Sequence, residues 1–109
     1  MNRAEIVEET KKRILAQGGY SLEGRSCRYS SSDGKRCAVG VWLPEDFDTS
    51  EFEGASVCGL QSEVINILPI DDKGFWVQVQ NIHDDCAREG FGLDDFAKKM
   101  DALKARVSL

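Results

Sequence analysis

Four cysteines, Cys27, Cys37, Cys58 and Cys86, and one histidine, His83, are the side chains of this 109-residue chain with obvious reactivity. A thiolate is a nucleophile and a metal ligand, and an imidazole beside it is a base or a further ligand. His83 and Cys86 are one helical turn apart and project from neighbouring positions of one face. With Cys27 and Cys37 they make a set of three thiolates and one imidazole, the kind that holds zinc tetrahedrally. Alternatively, Cys37 is a nucleophile with His83 as its base. Neither pattern is specific. The gap between Cys27 and Cys37 is not that of a zinc knuckle. Asp84, the adjacent carboxylate, points about 100° away from His83 on a helix and is not expected to orient it. The expected arrangement is therefore buried thiols packing beside a hydrogen-bonded histidine, with no metal and no cofactor. Cys58 and Cys86 fall in or near helical core stripes and are read as packing.

Other catalytic signatures do not occur: no phosphate loop, nucleophile elbow, HExxH helix or dinucleotide fingerprint is found. The acidic pairs Asp71-Asp72, Asp84-Asp85 and Asp94-Asp95 are explained by helix capping or solvation. The first 17 residues mix charged and apolar groups without a signal-type apolar stretch, so reduced thiols and a cytoplasmic location are expected. No apolar run approaches the roughly 18 residues of a membrane span.

The elements that must position these groups are legible. Asn2 followed by Glu5 reads as a capping box, Ile6, Thr10 and Ile14 form one helical stripe, and Gly18-Gly19 ends it. Residues 26–43 read as an antiparallel β-hairpin turning at 30–34, with Cys37, Val39, Val41 and Leu43 on one face and Cys27 opposite Cys37. Pro44 starts a short helix through Phe47. Val57, Leu60, Val64 and Ile67 suggest a second helix, ended by Pro69. Asp71 or Asp72 caps a third, with Phe75, Val79, Ile82 and Cys86 as its stripe. Asp94 and Asp95 open a last helix with Phe96, Met100, Leu103 and Val107 facing inward. The expected fold is a single α+β domain over 1–109, mostly helical, with one small hairpin packed on four helices.

Charge is unevenly distributed. The chain holds 14 Lys+Arg and 19 Asp+Glu, a net charge of −5. Residues 1–36 carry +3, residues 37–97 carry −11, and residues 98–109 return to +3. Such a balance disfavours direct nucleic-acid binding, which needs a basic surplus. The acidic peak holds Glu45, Asp46, Asp48, Glu51 and Glu53 around two Phe. It is either a solvated face or a docking surface for a basic partner.

The stretch CRYSSSDGKRCAVGVWLPED, then Glu53-Gly54, then VQNIHDD at 79–85, resembles a family of small proteins from bacteriophages and bacterial genomes. The matching positions are Cys27, Tyr29, Gly34, Cys37, Ala38, Val39, Gly40, Pro44, Glu53, Gly54, Gln80, His83 and Asp84. Val41-Trp42 departs from the pattern, and Cys58 and Cys86 lie outside it. The resemblance brings no catalytic activity. It implies a bacterial host cell and a role of binding a host protein, antiviral-defence components included.

The leading expectation is thus a non-enzymatic, phage-type interaction protein that inhibits or modulates a basic host factor through Glu45, Asp46, Asp48, Glu51 and Glu53. The alternative is a nucleotide-binding module whose pocket is lined by Tyr29, Trp42, Trp76 and His83. A Cys/His thiol enzyme or structural zinc protein ranks below both.

Overall fold

A computed structural model describes residues 1–24, 26–60 and 62–108. Its elements are α1 (Arg3–Gln17), β1 (Leu22–Glu23), β2 (Ser26–Cys27), α2 (Ser62–Ile65), α3 (Lys73–Glu89) and α4 (Leu93–Val107). Short 3-10 turns cover Gly40–Trp42 and Val57–Gly59. The chain is an α+β domain, mostly helical, with a two-stranded antiparallel sheet.

The helices begin and end for local reasons. The Asn2 side chain accepts from the Glu5 N–H at 2.8 Å, and the Asn2 N–H donates to the Glu5 carboxylate at 3.1 Å. This reciprocal capping satisfies two otherwise free donors of α1. Asp72 caps α3 by accepting from the Phe75 N–H at 3.1 Å. Both α1 and α3 leave through a left-handed glycine, Gly18 and Gly90. α1 packs against α4, and α4 against α3. Ile6, Ile14, Trp76, Val79, Phe96, Met100 and Leu103 meet in the centre and are fully buried. Each large apolar side chain there contributes about 1.5–3 kcal/mol by leaving water. No helix among the described residues is long and apolar enough to cross a membrane.

The hairpin is not where sequence alternation put it. β1 and β2 pair with Leu22 opposite Cys27 and Glu23 opposite Ser26. Beyond them only a single bridge, Ser30 to Arg36, joins the two arms of the expected hairpin. Cys27 therefore faces Leu22, not Cys37. From Cys37 to Gly40 every residue is buried, so burial does not follow the period-two pattern. The chain instead bends into the 3-10 turn so that Gly40 can lie against the Tyr29 carbonyl, where a Cβ would overlap backbone.

Side chains rather than a ladder hold this segment. Gln17 bonds both backbone groups of Arg36, donating to its carbonyl at 2.6 Å and accepting from its N–H at 3.0 Å. The Arg36 guanidinium in turn donates to the carbonyls of Gly40, Leu43, Pro44 and Glu45 at 2.7–3.4 Å. The helix expected from Pro44 through Phe47 is not formed; the segment is a single turn closed by the Phe47 N–H donating to the Pro44 carbonyl at 3.0 Å. The expected second helix is broken into the Val57–Gly59 turn and α2. Its stripe ends at buried Leu68 rather than at Ile67, which is exposed.

Candidate functional site

Two regions gather the residues singled out by sequence. The first is a cleft of about 320 Å³ between one face of α3 and the segments around Cys27–Tyr29 and 54–58. Gln80 organises its floor. The Gln80 Oε1 accepts from the Val39 N–H at 3.0 Å, while its Nε2 donates to Asp84 Oδ1 at 2.8 Å.

Asp84 also meets His83, contrary to the helical-wheel expectation: its Oδ1 is 3.0 Å from His83 Nδ1. On the far side of the ring, Nε2 accepts from the Ser21 N–H at 3.1 Å. An amide can only donate, so Nε2 is unprotonated and the imidazole proton sits on Nδ1, donated to Asp84. His83 is fully buried, and Tyr20 covers it edge-on at 5.5 Å between ring centres. Tyr20 and Ser21 were not signalled as partners by the sequence; they come from the segment after α1, some 60 residues away.

The cysteines separate. Cys27 lines the cleft half-buried, and burial with the nearby Asp84 carboxylate pushes its thiol up to about 12. Cys37 is buried and its sulfur accepts from the Gly40 N–H at 3.3 Å; burial pushes this thiol up to about 12 as well. Both are protonated thiols at neutral pH, not nucleophilic thiolates. His83, with both ring nitrogens engaged, is not placed to act as base for Cys37. Cys86 is buried, with its thiol also raised by burial. Cys58 is exposed at the cleft, not in a core stripe. The quartet Cys27, Cys37, His83 and Cys86 is not assembled. Among the described residues, the one Cys/His/carboxylate cluster of metal-binding dimensions is Cys27, His83 and Asp84.

The aromatic pocket is not assembled either. Trp76 fills the core, its Nε1–H donating to the Ile70 carbonyl at 3.0 Å. Trp42 is pinned to α1: its Nε1–H donates to Thr10 Oγ at 2.9 Å, and the Arg13 guanidinium lies 4.1 Å above its ring. Of Tyr29, Trp42, Trp76 and His83, only Tyr29 lines the cleft.

The second region is the acidic segment. Glu45, Asp46, Asp48 and Glu51 are exposed, and among the described residues none of them enters an ion pair. The Ser50 hydroxyl, then the Ser50 N–H that donates to Asp48 at 2.9 Å, hold its carboxyl below the usual range.

Glu53 differs from its neighbours. Its carboxylate accepts from the Tyr29 N–H at 2.8 Å, the Ser30 N–H at 3.1 Å and the Thr49 hydroxyl at 2.7 Å. It is an internal clip rather than a docking charge. Arg36 clamps the start of the acidic loop and Glu53 its end.

Between them lies a groove of about 180 Å³ with Phe47, Phe52 and Val64 among its lining. Asp48, Glu51 and Glu63 also line it. Glu63 arrives from α2, ten residues beyond the acidic run, and was not anticipated. Comparison with models of known protein families, with curated proteins and with solved structures finds no match.

Proposed function

We propose that this chain is a non-enzymatic interaction protein that docks a basic surface of another protein on its 44–52 loop. The observation that carries the reading is the contrast within that loop. Its two ends are clamped by Arg36 and Glu53, while Glu45, Asp46, Asp48 and Glu51 stay exposed and unpaired among the described residues. A fixed loop loses little conformational entropy on binding. Unpaired carboxylates steer and select a partner of opposite charge.

The groove adds the apolar component that charge alone lacks. Phe47, Phe52 and Val64 suit an aliphatic or aromatic anchor, and the carboxylates beside them suit a Lys or Arg next to that anchor. The raised thiols of Cys27 and Cys37 and the engaged ring nitrogens of His83 favour binding over catalysis. The CxY…CAVG…IHD resemblance supports a bacterial host protein as the partner and inhibition or modulation as the outcome.

The test is capture from bacterial lysate by the wild-type chain and by a variant with Glu45, Asp46, Asp48 and Glu51 all changed to Lys. A basic protein retained by the first and lost by the second is the expected result. Equal retention by both, or none by either, counts against the docking role.

A further inference from the structure

Cys27, His83 and Asp84 stand apart from the acidic loop. The Cys27 sulfur, a His83 ring nitrogen and an Asp84 carboxylate oxygen all lie within 4.8 Å of one another. They come from two elements, the end of β2 and the middle of α3. Zinc bonds of about 2.0–2.3 Å place tetrahedral ligand atoms about 3.3–3.8 Å apart, a span that side-chain rotation can reach from here. We propose that these three side chains form a zinc site, with Cys27 Sγ, His83 Nδ1 and an Asp84 oxygen as ligands and the fourth position facing the cleft.

The donor set argues for the metal. A thiolate and an imidazole with one carboxylate favour zinc over magnesium or calcium, which take oxygen ligands. Access is provided, because Cys27 and Asp84 both line the cleft. Zinc displaces one proton to solvent, that of the Cys27 thiol. The imidazole proton moves from Nδ1 to Nε2, and a thiolate, a neutral imidazole and a carboxylate then balance the dication.

The surrounding groups fit that exchange. Gln80, itself anchored on the Val39 N–H, holds the Asp84 carboxylate at 2.8 Å. A metal-bound histidine needs an acceptor for its second ring N–H. The Ser21 N–H that now faces Nε2 is a donor and would lose its partner. Ser21 Oγ, however, is the one buried side-chain N or O atom without a hydrogen-bond partner among the described residues. It belongs to the residue already in contact with Nε2, and a side-chain rotation makes it the acceptor.

Cobalt(II) reports on such a site. The reduced, chelator-stripped chain is titrated with Co²⁺ and then with Zn²⁺. The expected result is one Co²⁺ per chain with a sulfur-to-cobalt charge-transfer band that Zn²⁺ abolishes, kept in Cys58→Ser and lost in Cys27→Ser. No band in the wild type, or a band kept in Cys27→Ser and lost in Cys58→Ser, overturns the site. Peptide mapping of alkylated wild-type protein gives a readout that no variant's folding affects. Zn²⁺ should slow modification of Cys27 by about tenfold or more and leave Cys58 unchanged, because the thiolate is the attacking group and the metal occupies it. Equal rates with and without Zn²⁺ overturn the proposal.

Discussion

The carbonyl of Tyr29 occupies the space that a Cβ on residue 40 would need, so position 40 accepts only glycine without backbone movement. Tyr29 is fixed on its other sides by Glu53, which takes its N–H, and by the Ala55 carbonyl, which accepts its hydroxyl at 2.6 Å. Gly40 is thus the point where the CAVG segment seats on the cleft wall. Gly40→Ala should destabilise the fold by about 2–3 kcal/mol, in the upper range for overpacking. Gly59→Ala meets nothing closer than the Ser56 hydroxyl at 3.8 Å and should change stability by less than about 0.5 kcal/mol. Urea denaturation midpoints of the two variants check the contrast; equal midpoints would refute it.

Glu53→Ala leaves two backbone N–H groups and the Thr49 hydroxyl without their acceptor. Hydrogen bonds to a charged group contribute about 1.5–3 kcal/mol each, and part of that is regained from water at this half-buried site. A net loss of about 2–3 kcal/mol is expected. Glu53→Gln keeps one acceptor oxygen and should lose about half as much. In contrast, Glu51→Ala should leave thermal stability unchanged, because Glu51 makes no such contact. Differential scanning calorimetry separates the three.

Acid sensitivity follows from carboxyls held below their ordinary range. The Arg3 guanidinium, 2.6 Å from Asp72, and the Phe75 N–H lower the Asp72 carboxyl. The Ser31 hydroxyl, then the Lys35 N–H, lower Asp33 from 3.8 to about 2. Groups depressed in the folded state bind protons more readily when unfolded, so their stabilisation is full above the unfolded value and lost as pH falls through the folded one. Melting temperature should hold steady from pH 7 to about pH 5 and decline from about pH 4 toward pH 2. Asp72→Asn keeps a capping side chain but removes the charge. It should cost less than about 1 kcal/mol at pH 7, since the pair is partly exposed, and should shallow the acid decline. An unchanged acid profile in this variant would contradict the assignment.

The helices were legible because their signals are local. The Asn2–Glu5 box, the Asp72 cap and the Phe96, Met100, Leu103 stripe each lie within a few turns of the chain, and the structure keeps all of them. The 37–43 segment misled because alternating residue types resemble a strand even when both faces are covered. Its conformation is decided by Gln17, which holds Arg36 from 19 residues away, and by the Gly40–Tyr29 approach, neither of which a short window contains.

The site was legible in its composition more than in its geometry. Tyr29, Gln80 and Asp84 do line one cleft, while Gly40 and Glu53 contact Tyr29 and His83 contacts Asp84 from behind it. Glu53 looked like one more surface charge because its partner Tyr29 is 24 residues distant. Asp84 reached His83 although ideal helical angles turn the two apart, since a short carboxylate can fold back to the neighbouring ring nitrogen.

The central claim, docking through the acidic loop, is tested most directly by the affinity of the captured basic partner for wild type and for the Glu45/Asp46/Asp48/Glu51→Lys variant at low and high salt. Isothermal titration calorimetry should show binding weakened by about 30-fold or more in the variant, and wild-type affinity that falls as salt screens the exposed carboxylates. Equal affinity for the two proteins, independent of salt, would contradict the account.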